Sequence, residues 1–125
     1  MVSWGLWGLF PKLATNQIKP ASALVYEAVG GFIVGLVCLL GLRGKPELNS
    51  YGMLFGLLAG VAALTGGYCY VNAVSRGRVS LIVTVTALYP VVTVLLAHFF
   101  LKEPLGSRQI AGLLFAILAI VLVAR

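Results

Sequence analysis

Residues 87–125 read ALYPVVTVLLAHFFLKEPLGSRQIAGLLFAILAIVLVAR, and this stretch decides the fold class. Two apolar runs flank one charged joint, formed by Lys102, Glu103 and Arg108, and Pro90 stands inside the first run. A soluble helix would carry polar residues along one whole face. Here the charges gather at the joint and at the terminal Arg125. The rest of the chain follows the same plan: of 125 residues, 61% are hydrophobic and 10% charged, with a mean hydropathy of +1.06. That leaves too little polar surface for a dissolved domain of this size. The solvent is therefore lipid, and the charges mark where the chain leaves it.

A hydrocarbon core of about 30 Å needs about 20 helical residues. Cutting at the charged, Pro- and Gly-containing punctuation gives five segments, Val2–Ile18, Ser22–Leu42, Tyr51–Val74, Val79–Leu101 and Ser107–Ala124. The connections KPA, RGKPELNS, SRGR and KEPLG are short. The expectation is an all-α integral membrane protein, with residues 1–125 forming one domain of five transmembrane helices. The first segment holds Pro11 and Lys12 and reads as a helix lacking its opening turns. With no basic n-region and no cleavage site, it does not read as a signal peptide.

The net charge of +6 invites a nucleic-acid reading, but the basic residues stand singly or in pairs between apolar runs. That spacing fits headgroup and topology anchors, not nucleic-acid contacts. With the N-terminus on side I, that side holds Arg43, Lys45, Lys102 and Arg108, and side II holds Lys19, Arg76, Arg78 and Arg125. Four basic residues face four, and Lys12 falls inside the membrane. The positive-inside rule then selects no orientation. Such a chain can insert both ways round, and two copies can pair antiparallel.

Glycine recurs at Gly52, Gly56 and Gly60, and again at Gly31 and Gly35. Small residues at i and i+4 let two helices approach closely in lipid, and packing within the subunit is the expected use. Cys38 and Cys69 fall about 20 Å apart along the membrane normal. That is too far for a disulfide within one subunit, so both read as small apolar packers.

Pro90 removes one helical N–H and leaves the Thr86 carbonyl without its partner. A neighbouring group or a wet cavity must then satisfy it. Thr86, Tyr89 and Thr93 share one face around Pro90, and Thr65, Tyr68 and Asn72 form a similar line on the third segment. These residues are candidates for a cavity lining; the alternative is hydroxyls bonded back to their own helix. Lys12 and Glu27 lie deeper, eight residues before and seven after Pro20. In a hairpin turning there they share a depth of about 10 Å. Charge at that depth is costly and calls for a partner or water. One reading is a structural ion pair between them. The other has Glu27 exchanging a proton or accepting a cationic substrate, tuned by Lys12. Trp4 and Gly8 lie on the Lys12 face, so Trp4 is a candidate for lining a path. His98 reads as interfacial, and Lys102 and Glu103 as structural, with Glu103-Pro104 starting the last helix. No metal-ligand spacing, nucleophile–base set or cofactor fingerprint is present, so neither an enzyme nor a cofactor is expected.

At this point the stretch from Tyr70 to Arg125 resembles the C-terminal part of an EamA-type repeat of the drug/metabolite transporter superfamily. The matching residues are Ala73, Gly77, Ser80, Pro90, Leu101–Glu103, Gln109 and Gly112. WGLWGLFPKLA, with Trp4, Gly5 and Lys12, resembles that repeat's first helix. Usual members carry two five-helix repeats of inverted topology with the transport cavity between them. One repeat here is similar to the half-size bacterial and archaeal type. The resemblance implies a secondary transporter of small metabolites in the cell membrane; together with the balanced charge and the intramembrane acid, the expectation is a proton-coupled exporter of small metabolites or cationic compounds, built as an antiparallel homodimer. A non-transporting subunit of a heteromeric complex, a passive channel and a lipid flippase are the alternatives. The substrate and direction are not legible.

Overall fold

A computed structural model describes residues 1–123, and every regular element in them is a helix. The helices are α1 (Val2–Thr15), α2 (Pro20–Gly41), α3 (Ser50–Arg76), α4 (Val79–Thr86), α5 (Tyr89–Leu101) and α6 (Ser107–Val123). Ala124, the expected last residue of the final helix, and Arg125, one of the counted charges, lie outside the described residues.

Among the described residues, three stretches are long and apolar enough to cross a membrane: Pro20–Gly41, Ser50–Arg76 and Val79–Leu101. The last is the expected fourth helix, now in two pieces. α1 has 14 residues and α6 has 17. At 1.5 Å per residue α1 rises about 21 Å and the described part of α6 about 26 Å.

Local chemistry explains the helix ends. Pro20 opens α2 where its missing N–H costs nothing. α2 ends in a Schellman turn, with Gly44 N–H on the Leu39 carbonyl and Arg43 N–H on the Leu40 carbonyl. Arg43 and Gly44 take left-handed φ values of 53° and 70° there. The Asn49 side chain accepts from Gly52 N–H at 2.9 Å and caps α3. At α6, Gln109 reaches back to Gly106 N–H at 2.9 Å, half of a capping box. The last helix therefore opens at Ser107, and Glu103-Pro104 belongs to the connection. His98 Nδ1 lies 2.8 Å from the Glu103 carbonyl and ties the connection after α5 back to that helix.

The described residues fall into two compact units, Met1–Arg76 and Gly77–Arg125. In the first, α1, α2 and α3 pack on one another. Its core is small: Gly8 and Pro11 from α1, Ala23 from α2, and Gly67, Tyr70, Val71 and Val74 from α3. Those α3 positions run i, i+3, i+4 and i+7, one helical stripe. Two of the seven are glycines, which brings the backbones close where dispersion, not water exclusion, holds helices together.

Away from this junction the unit opens. Every residue from Val29 to Gly66 is exposed. A side chain at Gly31, Gly35, Gly56 or Gly60 would meet nothing within 4 Å. The expected packing of these glycines within the subunit is thus not formed; Gly8 and Gly67 serve instead. Cys38 and Cys69 are free, as expected, but exposed and not packed inside.

In the second unit α4 packs on α6. The helix breaks at Ala87 and Leu88. Ala87 N–H still reaches the Val83 carbonyl at 3.0 Å, and Leu88 N–H closes a tighter, three-residue turn onto the Val85 carbonyl at 3.1 Å. α5 then starts afresh at Tyr89 with Pro90 in its first turn. The ring thus sits where a helix has no N–H to lose.

Candidate functional site

The three packed helices bring four polar side-chain groups to one junction. Tyr70 of α3 donates its hydroxyl to the Gly8 carbonyl of α1. One turn along on both helices, Lys12 Nζ of α1 donates to the Val74 carbonyl of α3 at 2.8 Å. Both contacts advance by four residues in the same sense, so α1 and α3 run parallel. Val74 lies in the last turn of α3, whose carbonyls carry the negative end of the helix dipole. Lys12 therefore anchors a helix end.

Glu27 of α2 takes a different partner. Trp7 Nε1 donates to Glu27 Oε1 at 2.7 Å. The structural ion pair between Lys12 and Glu27 is accordingly not formed; each finds its own partner on another helix. The Trp7 ring stacks on Tyr70, with centroids 4.9 Å apart and planes at 22°. Trp4 meets Trp7 edge-on at 5.8 Å. The carboxylate lies against α3 at Gly67: a Cβ there would stand 3.5 Å from Oε1 and 3.9 Å from Oε2. Only a glycine leaves that side of Glu27 bare.

Glu27 is half-buried, and none of its oxygens is both buried and unpartnered. A groove of about 580 Å³ opens beside it, lined by Trp7, Glu27, Gly31, Phe32, Gly60 and Leu64 among others. Apart from Glu27 and the Trp7 indole, its lining side chains are apolar. The arrangement can hold a negative charge inside a membrane unit and present it to an apolar slot.

Most of the remaining sequence candidates bond to their own helix. Thr65 donates to the Val61 carbonyl at 2.8 Å, and the Asn72 amide to the Tyr68 carbonyl at 2.9 Å. Tyr68 is exposed and does not line the groove. Thr86 donates to Val83 at 2.9 Å and Thr93 to Tyr89 at 3.1 Å. These hydroxyls follow the back-bonded alternative. Tyr89 and Pro90 are exposed at the start of α5. Trp7, Gly67 and Tyr70 were not singled out from the sequence. Trp7 is one turn before Pro11, and Tyr70 one turn after Gly67, so a proline and a glycine pair were the available signals.

Comparison with known proteins agrees with this architecture. The whole chain, residues 1–125, matches the EamA-like transporter family. "Uncharacterized protein MJ1333.1" of Methanocaldococcus jannaschii is 24% identical over 123 residues, covering 98% of this chain and 89% of that protein. "Uncharacterized transporter YojE" of Bacillus subtilis is 30% identical over 134 residues, covering 98% of this chain and 45% of YojE. The chain thus spans a little under half of YojE. No solved structure matches.

Proposed function

This chain belongs to the EamA-like transporter family of the drug/metabolite transporter superfamily and is a membrane transporter; from that premise we propose a secondary active exporter of small metabolites or cationic compounds, coupled to protons through Glu27. The observation that carries the reading is the Glu27 carboxylate, held by Trp7 beside an open apolar groove. A carboxylate inside a membrane span is costly, and its usual reward is proton or cation traffic. A proton and a cationic substrate would compete for the same oxygens, which is the simplest form of exchange. We place it in the cell membrane as an antiparallel pair of copies. The balanced basic residues and the unpacked surface from Val29 to Gly66 support that assembly.

The test is uphill movement. Purified protein in vesicles that trap a pH-sensitive dye is given a pH gradient and a panel of amines, amino acids and sugars. Proton flux driven by one of these classes, against that compound's own gradient, supports the proposal. Glu27→Gln should abolish the flux while leaving folded protein in the membrane. Full flux in Glu27→Gln would remove Glu27 from the mechanism, and strictly downhill movement would indicate a passive path.

A further inference from the structure

The groove beside Glu27 has an unbalanced chemistry. Its lining holds one acidic side chain and one N–H donor, and the Trp7 donor is already engaged on Glu27 Oε1. The polar function left over is carboxylate oxygen, which only accepts. The walls are Phe32, Ala63 and Leu64, with Gly31 and Gly60 contributing no side chain. A Cβ at either glycine would meet nothing within 4 Å, so the slot between α2 and α3 is clear of side chains.

We propose that this groove binds a protonated amine carrying a single slender apolar tail, with the ammonium on the Glu27 carboxylate and the tail along Gly31 and Gly60. The proposal rests on the transporter reading and names the substrate class of that same site. A ligand here needs a positive N–H donor to complement the carboxylate. Any further polar group on it would be desolvated against Phe32 and Leu64 with no partner. Polyols and nucleotides are disfavoured for that reason. Carboxylate- or phosphate-bearing ligands would also bring like charge to Glu27, and no cation lines the groove. The indole N–H on one oxygen holds the carboxylate in place and leaves it approachable from the groove side.

Trp4 and Trp7 are the two tryptophans of the chain, so intrinsic emission reads this end of the groove. The full-length protein in lipid nanodiscs is titrated with n-hexylamine and with 1-hexanol, which has the same tail and no charge. Protein-free nanodiscs correct for partitioning. Hexylamine should change the emission saturably and bind about tenfold or more tighter than hexanol, the factor one charge-assisted hydrogen bond supplies. Glu27→Gln should erase the difference between the two probes. Gly60→Leu, which narrows the slot from the α3 side and keeps Glu27, should weaken hexylamine about tenfold.

Equal binding of hexylamine and hexanol would overturn the proposal and mark a groove for acyl chains. No response to either probe would overturn it in favour of a groove covered by a second copy. The transport panel separates this failure from that of the broader reading. Glu27-dependent proton flux driven by sugars or amino acids, with no hexylamine binding, removes the amine and keeps the transporter. Glu27-dependent hexylamine binding with no flux from any compound keeps the site and removes coupled transport.

Discussion

The indole nitrogen of Trp7 stands 2.7 Å from Glu27 Oε1, across the turn that joins α1 to α2. An indole N–H can only donate, so the acid is the acceptor. The half-buried Glu27 carboxylate is thus held by an uncharged aromatic donor. The same ring stacks on Tyr70, whose hydroxyl binds α1 again at Gly8. One ring therefore links the acid of α2 to the contact between α1 and α3.

Trp7→Phe separates the two duties of that ring. Phenylalanine keeps the stack on Tyr70 and removes the donor. We expect a loss of about 1 kcal/mol in folding stability, in line with single hydrogen bonds inside membrane proteins. Denaturant titration in mixed micelles measures it. Transport should change more than stability, because Glu27 loses its fixed position. A variant with wild-type transport kinetics would show that the indole bond only packs the hairpin.

Lys12 and Glu27 should behave independently. Lys12→Met removes a cation from the end of α3, for a cost of about 1 kcal/mol. The double variant Lys12→Met/Glu27→Gln should lose the sum of the two single effects within about 0.5 kcal/mol. The same titration completes the cycle. A coupling well above 1 kcal/mol would restore the direct ion pair.

Pro90 stands in the first turn of α5, just after the break at Ala87 and Leu88. Pro90→Ala lets residue 90 donate to the Thr86 carbonyl and join α4 to α5 as one helix. Spin labels at Val79 and Leu101, at the two ends of this span, should move apart. Transport should change more than stability. An unchanged distance would locate the cause of the break in the packing of α4 on α6.

Both orientations should be populated in cells. With Cys38 and Cys69 replaced by serine, a new cysteine near the C-terminus should be labelled from both sides of the membrane. Two extra lysines in residues 43–50 should drive most chains to one orientation, because near-balanced topologies respond to each added charge. Transport should fall, and return on mixing with a variant biased by lysines near Arg76. Labelling of the unmodified protein from one side only would exclude the antiparallel pair.

Much of the architecture was legible before any coordinates. The apolar runs and the charged, Pro- and Gly-containing punctuation between them depend on neighbours within a few residues. The helical state and the need for lipid follow from them directly, since a chain with 61% hydrophobic residues has no other solvent. The family was legible too, from motif residues spread between Trp4 and Gly112. Counting residues to the turn at Pro20 put Lys12 and Glu27 at one depth, whereas Lys12 meets α3 at Val74 and Glu27 meets it at Gly67, about 10 Å apart along that helix.

The sequence by itself determined which residues would need partners; the tertiary structure decided which partners they took. Helical period places a side chain on a face, and it does not say which helix will cover that face. Lys12 meets a carbonyl 62 residues away and Glu27 an indole 20 residues away, so the ion pair, one of the two alternatives, does not form. The glycines show the same division. Gly60 and Gly67 have the same chemistry, yet only Gly67 lies where another helix arrives. Close approach depends on where α1, α2 and α3 converge, and that point is set by Gly8, Ala23 and Val71 acting together from three helices. No local stretch contains that information, because the contact exists only once all three helices are in place.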